Sequence, residues 1–371
     1  MPWKEVSMMD QRLEFVRLAS LEGANRRELC RRFGISAQTG YKWLGRAAGG
    51  DFVERSRRPL SSPLRCSGAL EQAVLEVRDR HPAWGARKIA AVLERQAIAV
   101  PAASTLHAIL VRHERIFPRR GGAPAHLRFE RPEPNELWQM DFKGASTLGN
   151  GQRLHPLTVI DDHSRYALCV GACGDETGTS VKTQLTGVFQ HYGLPQAFFV
   201  DNGNPWGDSQ GGEWTKFRVW LLKYGVHLIH ARPYHPQSRG KNERFHRSME
   251  DEVFAMRPLA DLHEAQRVFT GWRGCYNHER PHEGIGMKRP AERYRPSPRA
   301  MPGTLPEVAY PEGETVRKLS VNKATISFKG KDWTVPRAFQ GELLAIRPQS
   351  TDGLFGIYFG ANFIKTIDLN P

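Results

Sequence analysis

Residues 196–203 read QAFFVDNG: an apolar run of strand-forming residues that stops at Asp201 and turns through Asn-Gly. Runs of this kind, bounded by turn residues, read as buried strands. Working outward, LHPLTVIDD (154–162), YALCVGAC (166–173) and VHLIHARP (226–233) are further strands. Helical patterns lie between them, near Ser180–Tyr192 and Glu213–Tyr224, and a long polar helix begins near Arg239. Strands alternating with helices predict an α/β sheet. Upstream, ELWQMDFKG (136–144) supplies a first strand that ends near Asp141.

Groups at strand C-terminal ends converge on one edge of such a sheet. Asp141 and Asp201 occupy that position, and Glu243 lies near the start of the polar helix in HPQSRGKNERFHRSMEDE (235–252). Gathered carboxylates repel unless a cation neutralises them. Hard oxygen ligands with open positions suit Mg²⁺ or Mn²⁺. Two such ions can activate a nucleophile and stabilise a leaving oxygen in phosphoryl transfer. Taken singly, each acid also reads as a turn former or a solvated group. Asp161 and Asp162, after the TVI strand, are rival acids. Glu250 lies about two turns beyond Glu243, too far along to share its ion.

Charge gives a second line. The chain has 371 residues, 53 basic and 39 acidic, a net charge of +14. Most of the excess sits in the first 130 residues, which attracts a polyanion such as nucleic acid. Hydrophobic residues make up 40%, enough for ordinary cores. No apolar run is long enough for a membrane span, and the N-terminus reads as no secretory signal, so a cytoplasmic protein is expected, on the nucleoid when it holds DNA. Five scattered cysteines without a CxxC pair read as free thiols and argue against structural zinc.

The basic front end predicts helices over 10–21, 25–33 and 37–46, with Asn25 and Ser36 as caps and Gly34 in the turn. This is the helix-turn-helix pattern. Its third helix would present Ser36, Gln38, Thr39, Tyr41 and Lys42 to DNA, with Arg26, Arg27 and Arg46 adding charge, while Trp43 and Leu44 face the core. A linker over 49–68 carries Arg57 and Arg58, placed to lie along a phosphate backbone. A second helical set follows, over 69–80, 86–95 and 101–113, with Ser104 and Thr105 at the start of its last helix. Residues 118–134 form another linker. Residues 301–371 hold short strands punctuated by Gly and Asp-Gly, and predict a small all-β barrel.

Three phrases together resemble a known family: W-x-x-D at Trp138–Asp141, VDNG at Val200–Gly203 and HPQSRGKNERFHR at His235–Arg247. They occur in the order found in the catalytic core of DDE transposases and retroviral integrases. VIDDHSRYAL (159–168) and YNHERPHEGI with P-A-E-R-Y (276–294) resemble neighbouring segments of that core. With its helix-turn-helix, the chain is similar to bacterial insertion-sequence transposases. One departure is the interval between Asp201 and Glu243, which is longer than usual; the surplus falls in the Gly-rich stretch 205–213.

The resemblance implies an RNase H-like core, with Asp141, Asp201 and Glu243 ligating two Mg²⁺ or Mn²⁺ ions. It implies binding of terminal inverted repeats, then DNA cleavage and joining to target DNA by a dimer or larger assembly. Gln237, Lys241, Asn242 and Arg244 would contact DNA phosphates. Asn202, Gly203, His235 and Pro236 would shape the site. The expected architecture is a helix-turn-helix domain (1–48), a second helical DNA-binding domain (69–117), the RNase H-like core (135–299) and the β-barrel (300–371). A catalytically silent DNA-binding regulator and a nuclease that cuts without joining are the alternatives.

Overall fold

Ser7, Asn25 and Ser36 each accept a backbone N–H from three residues ahead, and each starts a helix. The helices are α1 (Met8–Ala19), α2 (Arg26–Arg32) and α3 (Ala37–Ala47). Phe15, Val16, Ala19, Cys30 and Trp43 form their core, and Leu44 packs partly against it. Gly40 makes the close approach possible: a Cβ there would lie 2.6 Å from Cys30 Sγ and 2.9 Å from Phe15 Cζ. The computed structural model describes residues 7–55, 65–116, 130–203, 205–207, 214–230 and 240–370. The chain divides into two units, Met1–Cys66 and Ser67–Pro371, of which these helices form the first.

The second unit opens with α4 (Gly68–Arg80), α5 (Ala86–Arg95) and α6 (Ala103–Arg112). Val74, Trp84, Ile89, Leu93, Leu106 and Leu110 are buried among them. The buried Glu71 carboxylate is held between Arg112 and His113, 3.0 Å from each.

Next comes the mixed sheet: β1 (Leu137–Phe142), β2 (Ser146–Thr147), β3 (Arg153–Asp161), β4 (Ala167–Cys173), β5 (Ala197–Val200) and β6 (His227–His230). The strands run β4-β3-β1-β5-β6, with β2 also on β3. β3 is antiparallel to β1 and β4, while β5 is parallel to β1 and β6. Side chains alternate between the faces of a strand. Trp138 and Met140 of β1, Leu157 and Val159 of β3, and Phe198 and Val200 of β5 share one core with α7 (Gly178–Tyr192) and α8 (Lys216–Lys223). Leu154 and Ile160 of β3 and Val170 of β4 share another with α9 (Gly240–Met249) and α10 (Leu262–His278). The sheet therefore lies between two helical layers. A π-helical turn, Glu250–Phe254, continues α9.

α10 also seals the outer edge of β4. Gln266 accepts from the Ala172 N–H and donates to the Val170 carbonyl. Arg273 donates to the Leu168 carbonyl. Asn277 accepts from and donates to Ala167. Residues 266, 273 and 277 lie seven and four apart, on one helix face. Downstream, Tyr294 stacks on Tyr166 at 4.3 Å, and the Arg299 guanidinium caps the carbonyls of Pro195 and Tyr224.

The C-terminal strands correct one expectation: among the described residues they form no closed barrel. β7 (Thr315–Lys318), β10 (Leu343–Pro348), β11 (Leu354–Phe359) and β12 (Asn362–Asp368) make an open sheet ordered β12-β11-β10-β7. β8 (Thr325–Phe328) and β9 (Lys331–Thr334) form a separate hairpin. Closure needs the two outer strands to pair, but the chain leaves β7 after four residues to build the hairpin. The open side is filled by side chains instead. Ile326 and Phe328 of the hairpin and Val219 of α8 complete the core around Leu344, Ile357 and Phe359. Trp214 packs here, on Phe339 at 4.9 Å, whereas Trp220 joins the α/β core.

Candidate active site

Strand parity puts the two aspartates on one face. Trp138 and Met140 point to the α7–α8 layer, so the odd positions of β1 point to the α9–α10 layer. In β5, Phe198 and Val200 take the first side, which leaves 197, 199 and 201 for the second. The strands are parallel with Gln139 opposite Phe199, a register that leads toward Asp141 at the end of β1 and Asp201 just past the end of β5. Neighbouring strands lie about 4.8 Å apart. Asp141 and Asp201 are half-buried and Glu243, in the first turn of α9, is exposed.

The D-N-G turn aims Asp201. Its Oδ1 accepts from the Gly203 N–H at 2.9 Å, and its carbonyl accepts from His230 Nδ1 at 2.9 Å. The next residues are anchored too: Trp206, 1% exposed, stacks on Phe142 at 5.7 Å, beside Asp141.

Two polar links and an apolar stripe hold α9 over the face. Phe245 and Met249 are buried in the second core. Lys241 Nζ pairs with the fully buried Asp162 carboxylate, which also accepts from Gln139 Nε2 at 2.6 Å and the Arg131 N–H at 2.8 Å. Burial pushes the Lys241 ammonium down to about 8, despite its partner. One turn beyond Glu243, His246 Nε2 lies 2.8 Å from the Thr158 hydroxyl, which donates to the Asp141 carbonyl at 2.9 Å. Burial pushes the His246 imidazole down to about 4, with the nearby Lys143 charge adding to the effect, so the ring is neutral. Thr158 is itself the cross-strand partner of Asp141. The expectations included neither Thr158 nor His246.

Asp161 shapes the turn after β3. Its carboxylate accepts from the Asn135 and Ser164 N–H groups and from the Ser164 hydroxyl, while burial pushes its pKa up. Glu250 pairs with Lys143. Asn242 is buried, and Arg244, Asn202 and Gly203 are exposed. His235, Pro236, Gln237, Arg57 and Arg58 lie outside the described residues, as do Asp208 and Glu213 of the longer loop. In the first unit, Ser36 is engaged as the α3 cap with Thr39, and Lys42 pairs with Glu54 at 2.8 Å. Arg46 donates to the Val53 carbonyl and Arg26 to the Ala19 carbonyl. Arg27, Gln38 and Tyr41 are exposed. Ser104 and Thr105 lie in the first turn of α6.

Asp141 and Asp201 offer hard oxygens from the strand side and Glu243 from α9, a donor type that fits a divalent cation, although the three do not come within 4.8 Å of one another. The set is open. Among the described residues, only His81 at the α4–α5 turn, Cys275 on α10 and Glu279 just past its end bring three ligating atoms within 4.8 Å of one another.

Two family models described as integrase core domain match residues 131–236 and 224–290. A helix-turn-helix domain matches 11–59, a homeodomain-like domain 39–110, and the C-terminal domain of the IS481 family transposases 314–371. In these matches the chain is similar to insertion-sequence transposases with an integrase core. Among curated relatives, a 39.2 kDa protein of insertion element IS476 from Xanthomonas euvesicatoria is 30% identical over 43% of the chain and 44% of its own length. A 31.7 kDa protein of insertion element IS407 from Burkholderia multivorans is 27% identical over 60% of the chain and 79% of its own length. The chain thus spans less than half of the first relative and about four fifths of the second. A solved structure of the HTLV-2 integrase catalytic core domain with magnesium aligns at a TM-score of 0.35 and 14% identity, over 44% of this chain and 99% of that one.

Proposed function

We propose that this chain cuts DNA at the ends of an insertion sequence and joins those ends to target DNA. The observation that carries the proposal is the register of the parallel strands β1 and β5, Gln139 opposite Phe199, which leads Asp141 and, just past the end of β5, Asp201 to one edge of the sheet, with α9 packed on the same face. Asp141, Asp201 and Glu243 would hold two divalent cations, Mg²⁺ or Mn²⁺. Bound there, the ions supply an activated oxygen nucleophile, water for cleavage and a DNA 3′-OH for joining, and neutralise the charge that builds on the phosphate. The protein's own part is orientation. The Gly203 N–H fixes one oxygen of Asp201, and the two polar links fix the height of Glu243. Arg244, exposed beside Glu243, would meet a phosphate of the bound strand.

The front end supplies DNA binding in this reading. Gln38 and Tyr41, exposed on α3, would reach base edges, and Arg27 a phosphate. Lys42 and Arg46 brace the segment after α3 as well as adding positive charge. Ser104 and Thr105 give α6 a polar first turn for a second contact. Joining two ends in one event calls for a dimer or larger assembly on double-stranded DNA. No described helix is long and apolar enough to cross a membrane.

The test is labelled DNA carrying the element ends, incubated with the chain in Mg²⁺ and in EDTA. Asp201→Asn and Glu243→Gln run beside the wild type. The expected result is nicked and joined product with Mg²⁺ alone, and in both variants a loss larger than the roughly 10–100-fold that removal of an outer-shell partner costs. DNA affinity should persist. Nicks without joined product would instead support a nuclease. Equal DNA binding with no cutting by any of the proteins would support a DNA-binding regulator.

A further inference from the structure

Thr158 interrupts an otherwise apolar stripe. The other positions of β3 facing α9 and α10 include Leu154 and Ile160, and valine would fill the space of Thr158 without a polar atom. A buried hydroxyl costs stability unless both its hydrogen and its lone pairs are used. Here both are used, and their roles are fixed. The Asp141 carbonyl can only accept, so it takes the single hydroxyl hydrogen. The hydroxyl must then accept from His246, which carries its proton on Nε2. Three residues separate Glu243 from His246, so both lie on one face of α9. The bond therefore runs from the main chain of one acid, through a strand, to the helix of another.

We infer that Thr158 and His246 are positioning residues, which set the helix bearing Glu243 at a fixed height over the strand bearing Asp141. The inference rests on the reading of Asp141, Asp201 and Glu243 as cation ligands. Without the link, α9 keeps its apolar anchors, Phe245 and Met249, and its ion pair at Lys241. The helix stays docked, but the Glu243 carboxylate loses its register with the aspartates. Groups that orient ligands in this way typically change metal affinity or activity by about 10–100-fold.

The test uses the full chain with Thr158→Val, Thr158→Ser, His246→Leu and His246→Gln. Valine removes the hydroxyl at equal volume, and serine restores it. Leucine removes the ring donor, and the glutamine amide replaces it. Mn²⁺ affinity is read by electron paramagnetic resonance without DNA. Single-turnover cleavage, DNA affinity and melting temperature are read in parallel. The expected result is that Thr158→Val and His246→Leu lose about 10–100-fold in Mn²⁺ affinity and cleavage at unchanged DNA affinity, while Thr158→Ser and His246→Gln recover most of both. Thr158→Val and His246→Leu within twofold of wild type would overturn the inference. So would a loss that serine and glutamine fail to rescue, or one that follows the melting temperature alone. Asp201→Asn separates the two levels. If it binds Mn²⁺ as tightly as wild type, the acids are not the ligands and the inference falls with that reading. If it loses Mn²⁺ while Thr158→Val keeps it, only the positioning role falls.

Discussion

At the scale of single residues, Lys88 on α5 is a charge held against its preference. Burial pushes it down to about 8, with Arg280 and Arg244 repelling it and Glu252 and Glu283 offsetting part of the effect. Below pH 8 the lysine is charged in both folded and unfolded chains, and the fold carries the full cost. Between about 8 and 10.4 the folded form sheds its proton while the unfolded form keeps it, so stability rises with pH. Lys88→Met should therefore raise stability at pH 7 by about 2–3 kcal/mol. It should also flatten the rise above pH 8, leaving the share that belongs to Lys241; urea midpoints at pH 7 and 9.5 check both. The candidate acids stood out in the sequence because strand ends and a D-N-G turn announce themselves locally. Thr158 and His246 were not. Threonine is an ordinary strand former, a histidine in a charged helix reads as solvated, and their bond spans 88 positions of sequence. The ion pair of Lys241 was hidden for the same reason, since its partner Asp162 lies 79 positions away.

At the scale of elements, two glycines of α3 make opposite predictions. Nothing lies within 4 Å of a Cβ placed at Gly45, so Gly45→Ala should stabilise the first unit by up to about 1 kcal/mol through helix propensity. A Cβ at Gly40 meets Cys30 and Phe15, so Gly40→Ala should cost about 1–3 kcal/mol by overpacking. Thermal scans of the two variants should shift in opposite directions. Helices were readable to within a few residues because most carry their own side-chain cap and period, α5 and α6 being exceptions that start without one. The closure of the C-terminal strands was not, because alternation predicts a strand and one buried face but never names the partner across the sheet. The chain fills that gap with a hairpin and with Val219 of a helix more than a hundred residues upstream.

At the scale of the whole molecule, the first unit has its own core of five buried residues, separate from the cores of the second. Sixty-odd residues are near the lower limit for a fold that stands alone. Calorimetry should therefore show two transitions, and a chain truncated after Cys66 should reproduce one of them, with modest stability. In the second unit, the hold of α10 on the outer strand reaches beyond folding. An open sheet edge is a template that any passing strand can extend. Gln266, Arg273 and Asn277 occupy that template with helical side chains, so crowded copies cannot fuse their sheets there into a fibre. Drift at those three positions would expose the rungs, whereas their neighbours Arg267 and Gly274 face solvent and are free to vary.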